Sequence, residues 1–183
     1  ILSWIGAILG AVVLAMAIRA LLVEPVRVDG GSMNNTLKDG EVMLVTKPEV
    51  LFGNLKRGDI VICRFPGRNK QHTLHLGAPL DLELVTHTLF VKRLVALPGD
   101  TVQVTGGVLY VNDQPVDEPY VDYPPRDEYP RTLMGENQYM VMGDNRAGSH
   151  DGRSRDVGPI TKDMIVGRPR LVILPVKQFR TIQ

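Results

Sequence analysis

Thr88-Leu89-Phe90-Val91-Lys92-Arg93-Leu94-Val95-Ala96-Leu97-Pro98-Gly99-Asp100 decides the fold class of this 183-residue chain. A run of apolar and β-branched residues that ends in a Pro-Gly-Asp turn reads as a strand, and its strand-like character reaches back to residue 82. Alternation along a strand sends Lys92 and Arg93 to opposite faces, so that one points inward while the other stays in water. Just beyond the turn, residues 101–104 and 108–111 flank Thr105-Gly106-Gly107, a hairpin signal. Further strand-like runs occupy residues 26–28, 41–46, 60–64, 139–142 and 164–176. Thirteen prolines and eighteen glycines punctuate them. The expected fold is mostly β, built from short strands and many turns. Residues 47–56, 66–81, 115–137 and 147–159 read as loops or irregular excursions. The first of these carries Val50, Leu51 and Phe52 side by side, placed either to cap the core or to touch a membrane.

The N-terminal segment has a different character. Residues 1–18 carry no charge, and Arg19 is followed by Ala20-Leu21-Leu22-Val23 and then Glu24-Pro25. A spanning helix needs about 20 apolar residues, which residues 1–23 supply if Arg19 snorkels to the interface. Trp4 suits the other interface, and Pro25 would end the helix. Ala15-Met16-Ala17 also has the small-x-small form of a cleavage site, so a removable leader competes with a retained anchor. The apolar stretch resumes after Arg19, and its length favours the anchor. The chain then divides into a transmembrane anchor at 1–23 and a β-rich domain at 24–183.

A net charge of +1 gives no field directed at nucleic acid. Cys63 is the single cysteine and sits in Ile60-Val61-Ile62-Cys63, the setting of a buried, inert thiol. His72, His75, His87 and His150 show no zinc-binding spacing, and no metal is expected. His72 and His75 fall in a polar stretch and read as solvated. Arg57-Gly58-Asp59 runs directly into a β-run and reads as a turn rather than as an adhesion motif.

The candidate nucleophile is Ser32, in Val28-Asp29-Gly30-Gly31-Ser32-Met33-Asn34-Asn35-Thr36-Leu37. Glycines beside it permit a tight turn and the close approach of another chain. A serine needs a base. His150 next to Asp151 offers the imidazole route, although the run around it reads as an exposed loop. Lys92 offers the amine route, since burial among apolar neighbours lowers a lysine pKa. Exposed lysines that guard strand edges look the same in sequence.

Four segments in one order resemble the boxes of the type I signal peptidases, the bacterial membrane-bound Ser-Lys endopeptidases. They are Gly31-Ser32-Met33-Asn34-Asn35-Thr36-Leu37, Arg57-Gly58-Asp59-Ile60-Val61, Lys92-Arg93-Leu94-Val95-Ala96-Leu97-Pro98-Gly99-Asp100, and Met142-Gly143-Asp144-Asn145-Arg146-Ala147-Gly148-Ser149-His150-Asp151-Gly152-Arg153. The resemblance covers nearly the whole chain and implies an antiparallel β-sheet fold behind an N-terminal transmembrane helix. It implies Ser32 as nucleophile, Lys92 as general base and Ser149 as the group that orients Lys92. Asp144, Arg146, Asp151 and Arg153 match the family's structural ion pairs. His150 falls on a variable position. The resemblance places Val28, Met33, Leu37 and Val91 in a shallow apolar pocket that selects small residues before the cut. It also implies precursors bearing signal peptides and a lipid bilayer as partners, no nucleic acid, no cofactor, and a catalytic domain outside the bacterial cytoplasmic membrane.

Two positions depart from the pattern. Gly30 removes a hydroxyl that some members direct at the oxyanion. Asn35 replaces the usual proline, from which an altered turn is expected. A Ser-Lys protease with a narrower substrate set and a catalytically silent signal-binding scaffold are the alternative readings. The scaffold would be expected to lack Ser32 or Lys92.

Overall fold

The computed structural model describes residues 2–21, 23–53, 55–74 and 82–182, with side chains left aside at 2, 3, 15–21, 51, 68–74 and 82–87. Among the described residues a helix, α1 (Leu2–Leu21), leads into twelve strands. These are β1 (Val23–Arg27), β2 (Val42–Thr46), β3 (Ile60–Leu74), β4 (Leu82–Ala96), β5 (Thr101–Thr105), β6 (Val108–Val111), β7 (Gln114–Pro115), β8 (Tyr129–Leu133), β9 (Gln138–Met142), β10 (Ile160–Thr161), β11 (Ile165–Leu174) and β12 (Arg180–Thr181). One helical turn, α2 (Pro48–Leu51), follows β2. The fold is mostly β, as the spacing of apolar runs predicts.

The larger sheet runs β1-β2-β11-β3-β4-β9-β10, with β12 alongside β11. The smaller runs β7-β6-β5-β8. Every pairing is antiparallel. β4 therefore lies inside the large sheet, with Val61 opposite Lys92 on one side and Met142 opposite Arg93 on the other.

That central position corrects one expectation. Arg93 does not stay in water: it is 5% exposed and Lys92 is 3% exposed, on opposite faces of a strand that is covered on both. β3 shows the same double burial. Its Ile60 and Ile62 join Val28, Met33, Leu37, Met43, Val45, Val91 and Val172 on one side. Val61 and Cys63 join Val50, Leu94, Val141, Ile160 and Ile165 on the other. A strand buried on both faces reads as a continuous apolar run rather than an alternating one. Val95, Ala96, Met140 and Met142 extend from the large sheet to meet Val102, Val104, Leu109 and Val111 of the small one.

Two loops of the sequence reading become strands. Residues 66–74 continue β3, and beyond a register shift residues 69–74 pair with the first part of β4, residues 82–87. Residues 75–81 of that supposed loop, His75 among them, lie outside the described residues. Within 115–137, β8 pairs with β5 despite Pro130. It can do so because β8 is the edge of its sheet, where a missing N–H leaves no ladder bond unmade. Val50 turns into the core while Phe52 is 78% exposed. The described side chains of α1, from Trp4 to Leu14, are all exposed. Among the described residues no helix is long and apolar enough to cross a membrane. The anchor expected at 1–23 includes residues 1 and 22, which lie outside the described residues.

Candidate active site

The site forms where the chain leaves β1. The Val28 N–H donates to the Glu41 carbonyl and the Gly40 N–H to the Val28 carbonyl, pinning both ends of the loop 28–41. Between them, the N–H groups of Thr36 and Leu37 both donate to the Met33 carbonyl, closing a tight turn. Gly30 has φ +92°, a left-handed conformation that costs glycine nothing, and its N–H donates to Asp39 Oδ1 at 2.9 Å. Met33 and Leu37 anchor the turn in the core from below. Ser32 is thereby held at the lip.

From β4, Lys92 reaches Ser32: Nζ donates to Oγ at 2.6 Å. Burial is the first influence on the amine and drives its pKa down from 10.5 to about 8. Asp151 and Cys63 oppose that shift, and Arg153 adds to it. The Phe90 ring, 5.3 Å from Nζ, lies beside the amine. Burial also pushes the Cys63 thiol far up, so it stays protonated behind the site.

The segment after β9 ties the Ser32 loop to β4. Asp144 accepts Nε and Nη2 of Arg93 at 2.9 and 2.8 Å, and the Thr36 hydroxyl at 2.5 Å. Asn145 donates its N–H to the Ser32 carbonyl and its side-chain amide to the Gly31 carbonyl, each at 3.0 Å. Gly143 packs so closely that a Cβ there would collide with the Ser32 carbonyl and with Ser149 Oγ. Arg146 forks onto Glu118 and also donates to the Gly143 carbonyl. Asp151 accepts two bonds from the Arg153 guanidinium, and the backbone N–H groups of Arg153 and Gly143. Burial would raise the Asp151 carboxyl, but Arg153 and these donors outweigh it and hold it below the usual range.

Several expected residues therefore meet. Ser32, Lys92, Val28, Met33 and Val91 line one cleft of ≈ 250 Å³, together with Asp29, Gly30, Gly31, Phe90, Gly148 and His150. Leu37 is fully buried beneath this lining rather than in it. Ser149 Oγ is buried with no hydrogen-bond partner of good geometry, although it sits near enough to Asp151 to help keep that carboxyl ionised. It makes no bond to Lys92 in this structure. His150 lines the cleft, but its ring nitrogens face Asp156 and Ser154 rather than Ser32.

Asn145 and Gly143 carry geometry that their residue types did not announce. One works through a backbone N–H and an amide, the other through the absence of a side chain. The signal open to sequence was their place within the box that also supplies Asp144 and Ser149. Among the described residues no cluster of His, Cys, Asp or Glu could hold a metal ion.

The signal peptidase family, peptidase S26, matches residues 1–174. A signal peptidase I of Bacillus licheniformis is 38% identical over 97% of this chain and 91% of its own length. Signal peptidase I T of Bacillus subtilis is 36% identical over 98% of this chain and 88% of its own. A signal peptidase I crystal structure from Enterococcus faecalis aligns at a TM-score of 0.44 and 24% identity, over 62% of this chain and 95% of that one. The family match and the Bacillus relatives, aligned over nearly the full length of both chains, leave one assignment: the chain belongs to the signal peptidase family, peptidase S26, and is a serine endopeptidase.

Proposed function

We propose that this protein is a membrane-anchored endopeptidase that removes signal peptides from exported precursors, cutting after small residues of the A-x-A type. Ser32 is the nucleophile and Lys92 its general base. The carrying observation is the 2.6 Å contact between a buried lysine amine and the serine hydroxyl. With the pKa of Lys92 brought to about 8, a neutral amine is accessible near neutrality. Its lone pair takes the hydroxyl proton as Ser32 Oγ bonds to the scissile carbonyl carbon. The resulting ammonium then gives that proton to the departing amine, leaving an acyl-enzyme. Water attacks the ester by the same exchange in reverse and frees Ser32.

The Ser32 N–H is engaged by no other group among the described residues and is the oxyanion donor of this reading. Gly30 offers no hydroxyl to add to it. The substrate lies extended between residues 28–31 and 90–92, hydrogen-bonding through its backbone. Val28, Met33 and Val91 shape the floor for small side chains, over Leu37. Ser149, buried and unbonded, is available to orient the amine once it is neutral. Asp144, Arg146, Asp151 and Arg153 hold the frame.

Anchoring is supported by the apolar residues 1–23 and by the exposure of every described side chain of α1. The reading places the chain in the bacterial cytoplasmic membrane with the β domain outside. The test is cleavage of an A-x-A precursor by the full chain in lipid vesicles. Ser32→Ala and Lys92→Met should each abolish it while the fold persists by circular dichroism. Full activity in Lys92→Met would overturn the mechanism.

A further inference from the structure

We infer that His150 is a fixed wall of the Ser32–Lys92 cleft and limits the size of the substrate side chain accepted beside the scissile bond. The inference rests on the function proposed above and assigns its specificity to a residue outside the catalytic pair.

Half of the His150 side chain is exposed, which for a loop histidine ordinarily means rotamer freedom. Here the ring is held from three directions. One face stacks on Phe65, with centroids 5.7 Å apart and planes 4° from parallel. Nε2 lies 2.9 Å from Asp156 Oδ2, and the Ser154 hydroxyl lies 3.3 Å from Nδ1. Phe65 is itself buried and meets Phe90 at 5.3 Å in a tilted arrangement. Phe90 and His150 both line the cleft that holds Ser32 and Lys92. An aromatic tier thus runs from Phe90, beside the Lys92 amine, through Phe65 to the rim.

Gly30, Gly31 and Gly148 also line the cleft and carry no side chains. His150 and Phe90 are the two ring-bearing side chains of that lining, and of the two His150 is the more exposed. His150 is therefore the ring placed to meet an incoming residue. Because both ring nitrogens are occupied, it can neither swing away cheaply nor serve Ser32 as a base. A wall already ordered before binding costs no further entropy when the substrate arrives, so it discriminates by shape.

The test compares peptides with Ala, Leu or Phe at each position flanking the cut. His150→Ala should improve kcat/KM for the bulkier residue relative to alanine by about tenfold at one position, the scale on which an apolar pocket senses a few carbon atoms. His150→Phe, which keeps a ring on Phe65 without the nitrogens, should retain the wild-type ratio. Unchanged ratios in His150→Ala at every position would overturn the inference. So would a His150→Ala variant that folds but cleaves no peptide, or a His150→Phe variant that matches His150→Ala. Failure of the wild type to cleave any peptide, or cleavage by Ser32→Ala, would instead sink the proposed function.

Discussion

Asn145 holds Ser32 by its carbonyl: its backbone N–H donates to Ser32 O, and its side-chain amide donates to the neighbouring carbonyl of Gly31. The two bonds fix consecutive peptide groups, which leaves the Ser32 Cα–Cβ vector little freedom. Hydroxyl placement then comes from the backbone, before any contact with Lys92. Asp144, one residue earlier, ties the same segment to β4 through Arg93 and to the loop through Thr36.

Asn145→Ala removes one of these two bonds and keeps the other. The Gly31 carbonyl can turn to water, so stability should fall by only about 1 kcal/mol. Activity should fall further, by about 10- to 100-fold in kcat, because small misplacement of a reacting group is costly. Asn145→Asp should be worse, since it sets a carboxylate oxygen against the Gly31 carbonyl. Steady-state kinetics with chemical denaturation separate the two effects, and equal activity in all three proteins would refute the clamp.

Lys92 makes a second prediction, about stability and pH. Its folded pKa is depressed from 10.5 to about 8. Below pH 8 both folded and unfolded chains carry the proton, and the full cost of burying the charge is present. Between about 8 and 10.5 the unfolded chain binds more protons, so the cost is relieved as pH rises. Lys92→Met removes it altogether. The variant should be more stable than wild type at pH 6, by on the order of 3 kcal/mol, with the gain shrinking towards pH 10. Wild-type kcat/KM should rise with pH along a limb near 8. A Lys92→Met variant that loses stability at pH 6 would show that the amine is not buried as a charge.

Ser32 and Lys92 were legible in the sequence because each stands in a box whose order along the chain is distinctive. Arg93 was not, because alternation says only that neighbours face opposite ways. Whether both faces are covered depends on β3 and β9 flanking β4, a tertiary outcome. β8 was hidden for a related reason: proline argues against a strand unless the strand is an edge, and edges are set by topology. Asn145 acts through its backbone N–H as well as its amide, and Gly143 through empty space, which residue identity alone does not reveal.

Gly143 yields a third prediction. An added Cβ would fall well inside contact distance of both the Ser32 carbonyl and Ser149 Oγ. One of those obstacles is backbone that Asn145 holds in place, so it cannot step aside freely. Gly143→Ala should cost about 1–3 kcal/mol, the range for overpacking a tight interior. Cleavage should be nearly lost even where the fold survives, since the displaced atoms belong to Ser32 and Ser149. Gly143→Ala with wild-type kcat would mean that the segment yields easily and does not fix Ser32.

The last prediction concerns Asn35, where the family's pattern has proline. Here φ is +91°, a left-handed conformation that the pyrrolidine ring forbids and asparagine tolerates. Restoring proline therefore cannot stiffen this turn. It must rebuild it, pulling on the Met33 carbonyl that accepts the N–H groups of Thr36 and Leu37. Asn35→Pro should lower stability by more than about 1 kcal/mol, the usual gain from a proline that fits. It should also lower kcat, because Met33 adjoins Ser32. Asn35→Gly should do the opposite to the fold and stabilise it by up to about 1 kcal/mol, since glycine enters that region without strain. Thermal melts of the two variants decide the matter. If Asn35→Pro melts higher than wild type and cleaves as fast, the turn after Ser32 does not have the left-handed residue described here.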